Sequence, residues 1–523
     1  MPGGAGDGGY PPVSGPVEER AVIEHEVKLS AWPGFTLPDL DGVTDGARTR
    51  RRETIDLDAT YFDTPDLRLG RRGITLRHRQ RGARGTWTVK LPTGDTPVAG
   101  GTSRDEIEVT ATIGEVPAEL ALLVAAHVRT APLVRVARLM TVRRRTVVDG
   151  PDGLPLAEVD DDEVSVMDGG RVAARFRELE VEIAPDAPPA VARAVVERLR
   201  RNGADPAGTL PKVARAVGPR FLDPPESAVA PLPDDPTASD VVTAAIRGSV
   251  GRILDHHAPA VLGTDPEGVH QMRVGARRLR SDLRTFGPLL DGDVTDRLRE
   301  ELRWLGRALG AVRDPDVLRD RVRAGLDRLD EADREAGAAV LAWLDTDRAA
   351  GVERLHRALG SDRYLELLDD LVELGEGPPL RPAADGPADR VLPGLVRDPW
   401  ARLRKQVAAL GREPADTDLH EVRKRAKQVR YAAEAVAPVV GKRARRAARG
   451  AKGLQTLLGD HQDAVVAEAW MRDLAVAGDL EPGAVFTLGG LVAGERIVRS
   501  ECRARWPELW AKASAADRWA WLG

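Results

Sequence analysis

Residues 21–30, Ala21-Val22-Ile23-Glu24-His25-Glu26-Val27-Lys28-Leu29-Ser30, decide the fold of the first half of the chain. Glu24, Glu26 and Lys28 stand at alternate positions, with Ile23, Val27 and Leu29 between or beside them. Side chains two apart share one face of a β-strand, so the stretch reads as a strand with one charged and one apolar side. The same pattern recurs outward from it. Arg77 and Arg79 alternate with Leu76 and His78, and Thr88 and Lys90 with Trp87, Val89 and Leu91. Arg104, Glu106 and Glu108 flank Ile107, Arg143 and Arg145 recur two apart, Glu158 and Asp160 flank Val159, and Glu178, Glu180 and Glu182 flank Leu179 and Val181.

A solvated antiparallel sheet would explain any one of these strands. Taken together they are harder to explain that way, because solvent faces usually mix Ser, Thr and Gln with isolated charges. Here carboxylate strands and guanidinium or ammonium strands are segregated. A sheet closed with its charged side inward becomes a tunnel with basic walls and acidic walls. A triphosphate, with about four negative charges near neutral pH, needs several cationic donors, and Arg offers fork-like contacts. Carboxylates beside such an anion repel it unless they hold a divalent cation, and Mg²⁺ and Mn²⁺ favour carboxylate oxygens shared with phosphate. The mixture therefore points to metal-assisted phosphoryl chemistry. The competing reading is internal salt bridging without a ligand, which is costly to desolvate unless every charge is paired.

Five ordered motifs carry a resemblance: Glu24-His25-Glu26-Val27-Lys28, Tyr61-Phe62-Asp63-Thr64-Pro65-Asp66, Leu76-Arg77-His78-Arg79, Trp87-Thr88-Val89-Lys90 and Arg104-Asp105-Glu106-Ile107-Glu108. In these, residues 21–217 resemble the CYTH superfamily, the triphosphate tunnel metalloenzymes. The resemblance implies an eight-stranded antiparallel β-barrel tunnel with flanking helices, hydrolysing tripolyphosphate or a related triphosphate with Mg²⁺ or Mn²⁺. It implies catalytic roles for Glu24, Glu26 and Lys28. Metal ligands would be Glu24 and Glu26 with Glu178 and Glu180 of the late acidic strand, and Glu158 and Asp160 as further acidic candidates. Phosphate contacts would come from Lys28, Arg77, Arg79, Lys90, Arg143 and Arg145, and from Lys212, where the family often carries a C-terminal Lys. The expected chemistry is in-line attack of a metal-activated water on the terminal phosphorus, with the cations neutralising the non-bridging oxygens. Gly100-Gly101-Thr102 lacks the Lys and the helix of a P-loop.

A helix is expected over Pro189–Asn202, and the Pro-rich run from Asp223 to Pro236 marks a linker, placed at 218–238. Beyond it strand signals vanish, and apolar residues at helical spacing make 239–515 all-α. This half repeats itself. His270, Arg273, Arg277 and Arg280 are matched by His420, Arg423, Lys427 and Arg430 about 150 positions later, a duplication by its fixed offset. The copies span about 239–375 and 391–515, with a connector near 376–390. Each set forms a basic stripe on one helix, the first running on to Arg284. A lone stripe would pass for a solvated face; two at one offset point to a polymeric anion, bound with counterion release. Val269-His270-Gln271-Met272-Arg273, Leu309-Gly310 to Asp314, Leu419-His420-Glu421-Val422-Arg423-Lys424 to Tyr431, and Leu454-Gln455 to Asp463 resemble the CHAD domain, which implies polyphosphate binding rather than catalysis. The candidate binding residues are His270, Arg273, Arg277, Arg280, Arg284, His420, Arg423, Lys424, Lys427 and Arg430. No H-E-x-x-H pattern supports zinc, and His256-His257 is expected on a helix surface.

The fold class expected overall is multidomain α+β, the barrel tunnel followed by a duplicated all-α bundle. The net charge of −5 conceals this sorting of charge. The single cysteine, Cys502, excludes an intramolecular disulfide and fits a cytoplasmic protein; polyphosphate binding would extend that to association with polyphosphate granules. Residues 1–20 read as a disordered tail rather than a signal peptide, and no run of about 18 apolar residues suggests a membrane span. Few aromatics flank the basic stripes, which argues against nucleic acid as partner. Two further readings remain: a non-catalytic polyphosphate-binding or targeting protein, and an enzyme acting on nucleotide or thiamine triphosphates. Oligomeric state is not legible.

Overall fold

The computed structural model describes residues 21–81, 84–93, 102–206, 210–477 and 480–522; the side chains of 21–25, 81, 84, 102 and 103 lie outside that description. The expected tail, 1–20, and the side chain of Glu24 therefore lie outside the described residues. Contacts divide the chain into two units, one ending at Pro225 and the other beginning at Glu226.

The first unit is an antiparallel sheet. Its strands are β1 (Ala21–Ala31), β2 (Arg48–Arg51), β3 (Ile55–Asp63), β4 (Thr75–Arg81), β5 (Arg84–Pro92), β6 (Thr102–Thr110), β7 (Val134–Asp149), β8 (Pro155–Asp168), β9 (Arg171–Ile183) and β10 (Asp205–Pro206). They follow the order β10-β1-β6-β5-β4-β3-β7-β8-β9, with β2 on β7, and β9 returns to pair with β1. Eight strands thus form a ring whose seam is shared along β1. Its first half, to Glu26, pairs with β6, and its second half, from Glu26 to Ala31, pairs with β9. The result is a curled barrel, with neither seam zipped along its whole length.

Register explains which side faces in. Across β1 and β9, Val27 lies opposite Val181 and Leu29 opposite Leu179, while Lys28 lies opposite Glu180 and Glu26 opposite Glu182. Apolar pairs fall on one face and ionic pairs on the other, and a one-residue slip would invert both. The apolar face is covered from outside. Val27, Leu29, Val159, Leu179 and Val181 share a buried cluster with Phe35, Leu40 and Val191, Val195 and Leu199. The last three lie at i, i+4 and i+8 on a helix, Pro189–Arg201, so its apolar stripe is laid along β8 and β9. The charged face is left to line the interior, where Lys28, Arg143, Asp160, Asp162, Glu178 and Glu180 are buried. The solvated-sheet reading is thereby excluded. Asp63 builds the turn after β3: its carboxylate accepts from the backbone N–H groups of Thr64, Leu69 and Gly70 at 2.7–2.9 Å.

The helices are α1 (Ala118–Val128), α2 (Pro189–Arg201) and α3 (Lys212–Val217) in the first unit. The second unit holds α4 (Ala238–Asp255), α5 (His257–Leu262), α6 (Pro266–Thr285), α7 (Gly292–Leu326), α8 (Glu331–Leu359), α9 (Asp362–Glu376), α10 (Ala388–Val391), α11 (Gly394–Ala408), α12 (Asp416–Ala435), α13 (Ala437–Val440), α14 (Lys442–Ala477), α15 (Pro482–Ala513) and α16 (Ala516–Trp519). The duplication is visible as α6-α7-α8 against α12-α14-α15, with α6 packed on α12. The far ends of α7, α8, α14 and α15 share a core of Val322, Leu326, Val340, Leu344, Met471, Leu474, Leu488 and Leu491. Close crossings need small residues: a Cβ on Gly351 would sit 2.1 Å from the carbonyl oxygen of Ala311. One expectation is corrected here. His256 is half-buried, but His257 is fully buried, with Nδ1 3.0 Å from the Tyr364 hydroxyl. It opens α5 just after the break from α4, where the chain turns inward. Among the described residues, no helix is long and apolar enough to cross a membrane.

Candidate functional site

The barrel encloses a cavity of about 370 Å³ lined by Lys28, Arg77, Arg79, Lys90, Arg104, Arg143, Arg145 and Lys212, with Glu106, Glu108, Glu180, Glu182, Tyr61 and Thr75. Every phosphate-contact candidate from the sequence reaches this one space. β4 and β5 supply a basic wall, β8 and β9 an acidic one, and β7 a basic strand beside the acidic pair.

Most of the cations are paired within the wall. Arg143 binds both oxygens of Asp162, at 2.8 and 2.7 Å, reaches Glu180 at 2.8 Å and also meets Asp160. Burial opposes its charge, yet these carboxylates raise its pKa overall. Lys212, at the first position of α3, projects its ammonium to Glu180 at 2.6 Å, Asp162 at 2.9 Å and Glu178 at 3.5 Å. Lys28 lies 3.1 Å from Glu180, 3.3 Å from Glu26 and 4.0 Å from Glu178. Burial alone would neutralise Glu180, but Lys212, Lys28 and Arg143 hold its carboxyl well below the usual range. Burial likewise works against Glu26, and Lys28 brings its pKa below normal. Arg145 pairs with Glu158 at 2.7 Å and Asp160 at 2.8 Å, and Glu106 receives Arg77 and Lys90, each at 2.9 Å. Arg79 differs. It makes no ion pair among the described residues, and the Arg77 guanidinium, then burial, push it down to about 10.

The acidic wall contains a group with the shape of a cation site. Carboxylate oxygens of Asp160, Glu180 and Glu182 all lie within 4.8 Å of one another. Burial, then the charges of Asp160 and Glu180, push Glu182 up to about 7. Hard oxygen donors in a like-charged cluster suit a divalent cation. Of the metal candidates, Asp160 and Glu180 belong to this group. Glu26 and Glu158 stand opposite Glu182 on the neighbouring strands, and Glu178 faces Lys28, Lys212 and Arg215 instead. Glu182 is absent from the sequence-based metal set, although it continues the Glu178/Glu180 alternation by one more step. Arg104 and Glu106 were likewise legible as an alternation without being singled out as site residues.

In the helical unit the two basic stripes meet. A cleft of about 650 Å³ is lined by His270, Arg273, Arg277 and Arg313 from the first copy and by Arg423, Lys427, Tyr431 and Asp463 from the second. Asp314 pairs with Arg273 at 2.6 Å. Gly310 and Gly459 hold matching places: Arg273 lies 3.5 Å from the Cβ position of one, Arg423 3.6 Å from that of the other. Burial, with Arg313, Arg273 and Arg277 nearby, lowers the His270 pKa despite Glu267. Arg430 stacks on Tyr431 and pairs with Glu434 at 3.1 Å. Arg284 lines a second pocket of about 500 Å³ with Arg299, Arg402 and Arg425, and Arg280 stands between the two groups, its pKa lowered by burial and by Arg303, Arg277 and Arg284. His420 and Lys424 are outside the cleft lining; Lys424 is exposed and pairs with Glu421 at 2.6 Å. Arg313, Tyr431 and Asp463 fall within the motifs of the helical half but outside its two basic stripes.

Comparison with known proteins follows the same division. Residues 23–210 match the CYTH domain and residues 244–472 the CHAD domain. Two uncharacterized proteins, from two strains of Mycobacterium tuberculosis, are each 33% identical over 97% of this chain and 99% of their own length. Among solved structures, PptA from Streptomyces chartreusis is 26% identical, covering 52% of this chain and 99% of its own, with a TM-score of 0.45. The CHAD domain from the plant Ricinus communis is 26% identical, covering 55% and 96%, with a TM-score of 0.46.

Proposed function

Because the chain belongs to the family of proteins that join a CYTH domain to a CHAD domain, we propose that its barrel hydrolyses inorganic triphosphate with a divalent metal, Mg²⁺ or Mn²⁺, and that its helical unit binds polyphosphate. One observation carries the reading: the cations of β4, β5 and β7 line the same cavity as Glu180 and Glu182, two members of the three-carboxylate group that the fully buried Asp160 completes. A cation held by those three carboxylates would supply Lewis-acid charge between the acidic wall and the phosphate chain.

The remaining work falls to the protein. Arg77, Arg79 and Lys90 receive the phosphate chain from the basic wall and neutralise its non-bridging oxygens, Arg79 doing so without giving up a partner. Lys28, Arg143 and Lys212 are held by Glu180 and Asp162, which fixes their positions before substrate arrives; fixed charges of this kind need little reorganisation as charge moves in the transition state. The barrel wall limits water around the reacting phosphorus. Glu26 and Glu182 stand opposite one another across β1 and β9, and our reading gives them, through the metal, a part in activating the attacking water. Glu24 joins them by resemblance alone.

The test is phosphate release from tripolyphosphate by the purified chain, with and without Mg²⁺ or Mn²⁺, beside ATP and thiamine triphosphate. Metal-dependent release that falls at least a hundredfold in Glu182→Gln and Asp160→Asn, roughly the loss expected on removing a metal ligand or its support, supports the reading. No release from any of the three would leave a binding protein, and preference for ATP or thiamine triphosphate would move the activity to nucleotide or cofactor chemistry.

A further inference from the structure

Lys427 occupies an unusual place in the helical cleft. Its helix, α12, also carries Arg423 and Arg430, and α6, packed against it, contributes Arg277 and Arg280; all four guanidiniums act on its ammonium. From α7 the cleft receives Arg313, Arg321 and Asp314, with Arg321 paired to Glu495 and Asp314 committed to Arg273 at 2.6 Å, and from α8 Asp347, which lies 3.8 Å from Arg354. From α14 it receives Gln455 and Asp463, whose pKa burial raises. No charged group of α11 lines it. Among the described residues Lys427 makes no ion pair; its one specific contact is with the Tyr431 ring, 5.6 Å from Nζ to the centroid. The side chain is thus a largely buried amine surrounded by permanent positive charge and facing an open cleft.

We propose that anion capture in this cleft is coupled to proton uptake by Lys427, so that the helical unit holds polyphosphate tightly in mildly acidic surroundings and releases it as the pH rises. The inference rests on the polyphosphate reading above and adds a regulation to it. In the empty cleft, burial and then the four arginines push the Lys427 amine down to about 6, so it is mostly neutral at pH 7. Arginines cannot shed this repulsion by deprotonating in the same range, whereas the lysine can. A phosphate chain brings the missing counter-charge, which restores the ammonium. Between the pKa of the empty cleft and that of the filled one, binding takes up close to one proton, and affinity falls by up to about tenfold per pH unit. The contribution of the arginines is flat over this range.

The experiment is calorimetric titration of the full chain with long-chain polyphosphate in EDTA, at pH 6.0 and 7.5, in buffers of different ionisation enthalpy. Long chains keep the titrating terminal phosphates a small fraction of the ligand. The expected result is uptake of about one proton per site at pH 7.5 and affinity about tenfold weaker there than at 6.0. Lys427→Arg should bind at both values without that slope or uptake, and Lys427→Met should bind weakly at both. His270 lines the same cleft, so slope and uptake that survive Lys427→Arg and vanish in His270→Asn overturn the proposal in favour of the imidazole. Binding with no proton uptake overturns it alone, while absence of binding at either pH removes the polyphosphate reading and this one with it.

Discussion

Glu180→Gln is the sharpest probe of the tunnel. Its carboxylate, 6% exposed, serves Lys212 at 2.6 Å, Arg143 at 2.8 Å and Lys28 at 3.1 Å. It is the largest source of stabilisation for the ammonium of both lysines, ahead of Asp162, Glu26 and Glu178. Glutamine keeps the shape but gives up the charge. Removing one partner of a buried pair costs about 3–5 kcal/mol, because the charges left behind stay desolvated. Asp162 remains for Arg143 and Lys212, so the lower end, about 3 kcal/mol, is expected. At roughly 1.4 kcal/mol per tenfold, amides whose exchange requires opening of the β1–β9 pair should exchange about a hundredfold faster.

Hydrogen exchange of peptides covering 21–31 and 171–183, measured in EDTA, reads this directly. The folded carboxyl is held well below its ordinary value of 4.5, so its stabilisation is complete above that value and is lost only as the pH falls through the lower one. The difference between wild type and variant should therefore persist at pH 6 and shrink only in stronger acid. Tripolyphosphate without metal should restore protection to the variant, since the three released cations then find phosphate oxygens and binding adds stability by mass action. Unchanged exchange would mean that the network contributes nothing. Loss of protection that tripolyphosphate cannot restore would mean that these cations are not aimed at a phosphate chain.

Arg79→Gln should act oppositely. With no ion pair to lose and a guanidinium already crowded by Arg77, the barrel should melt no earlier, while KM for tripolyphosphate rises by roughly ten- to a hundredfold, the worth of a charge-assisted phosphate contact; early melting would refute this. Gly351→Ala tests the helical unit, where the added Cβ meets the Ala311 carbonyl oxygen at 2.1 Å and α7 and α8 must separate. A loss of roughly 1–3 kcal/mol or more is expected in its thermal unfolding, with phosphate release by the barrel unchanged.

The barrel was legible because its two faces differ so sharply in polarity. Val27, Leu29, Leu179 and Val181 had to be covered, Val191, Val195 and Leu199 were spaced to cover them, and the ionic residues between could only turn the other way. The helix expected over Pro189–Asn202 runs from Pro189 to Arg201, with Asn202 as its C-cap. What alternation cannot convey is which strands become neighbours. Glu182 completes the three-carboxylate group only because β8 brings Asp160 opposite Glu180, a pairing set by the barrel rather than by either strand. Lys212 was visible by resemblance alone, since a six-residue helix has too little periodicity to aim a side chain. The repeat offset announced two basic stripes but not that α6 and α12 pack together, so the crowding of Lys427 by Arg277 and Arg280 had no sequence signal. His257 was misread because a break between two helices reverses what is inside.

The two units treat positive charge in contrary ways, and the contrast bears on why one is read as an enzyme and the other as a binder. In the barrel nearly every cation has a carboxylate within reach, so the ligand-free cavity is close to internally neutralised. A phosphate chain must compete with Glu180 and Asp162 for the same donors, which limits how tightly substrate and product are held. A site that grips its ground state less can reserve interaction for the transition state. In the helical cleft Arg277, Arg280, Arg423 and Lys427 face one another with few carboxylates to spare, so the repulsion is stored until an anion arrives and is then relieved wholly in the bound state. That arrangement favours affinity and a steep dependence on salt, with no surplus left for chemistry. Moving a carboxylate into the cleft, as in Gln455→Glu, should accordingly weaken polyphosphate binding and flatten its salt dependence, while raising the proton affinity of Lys427.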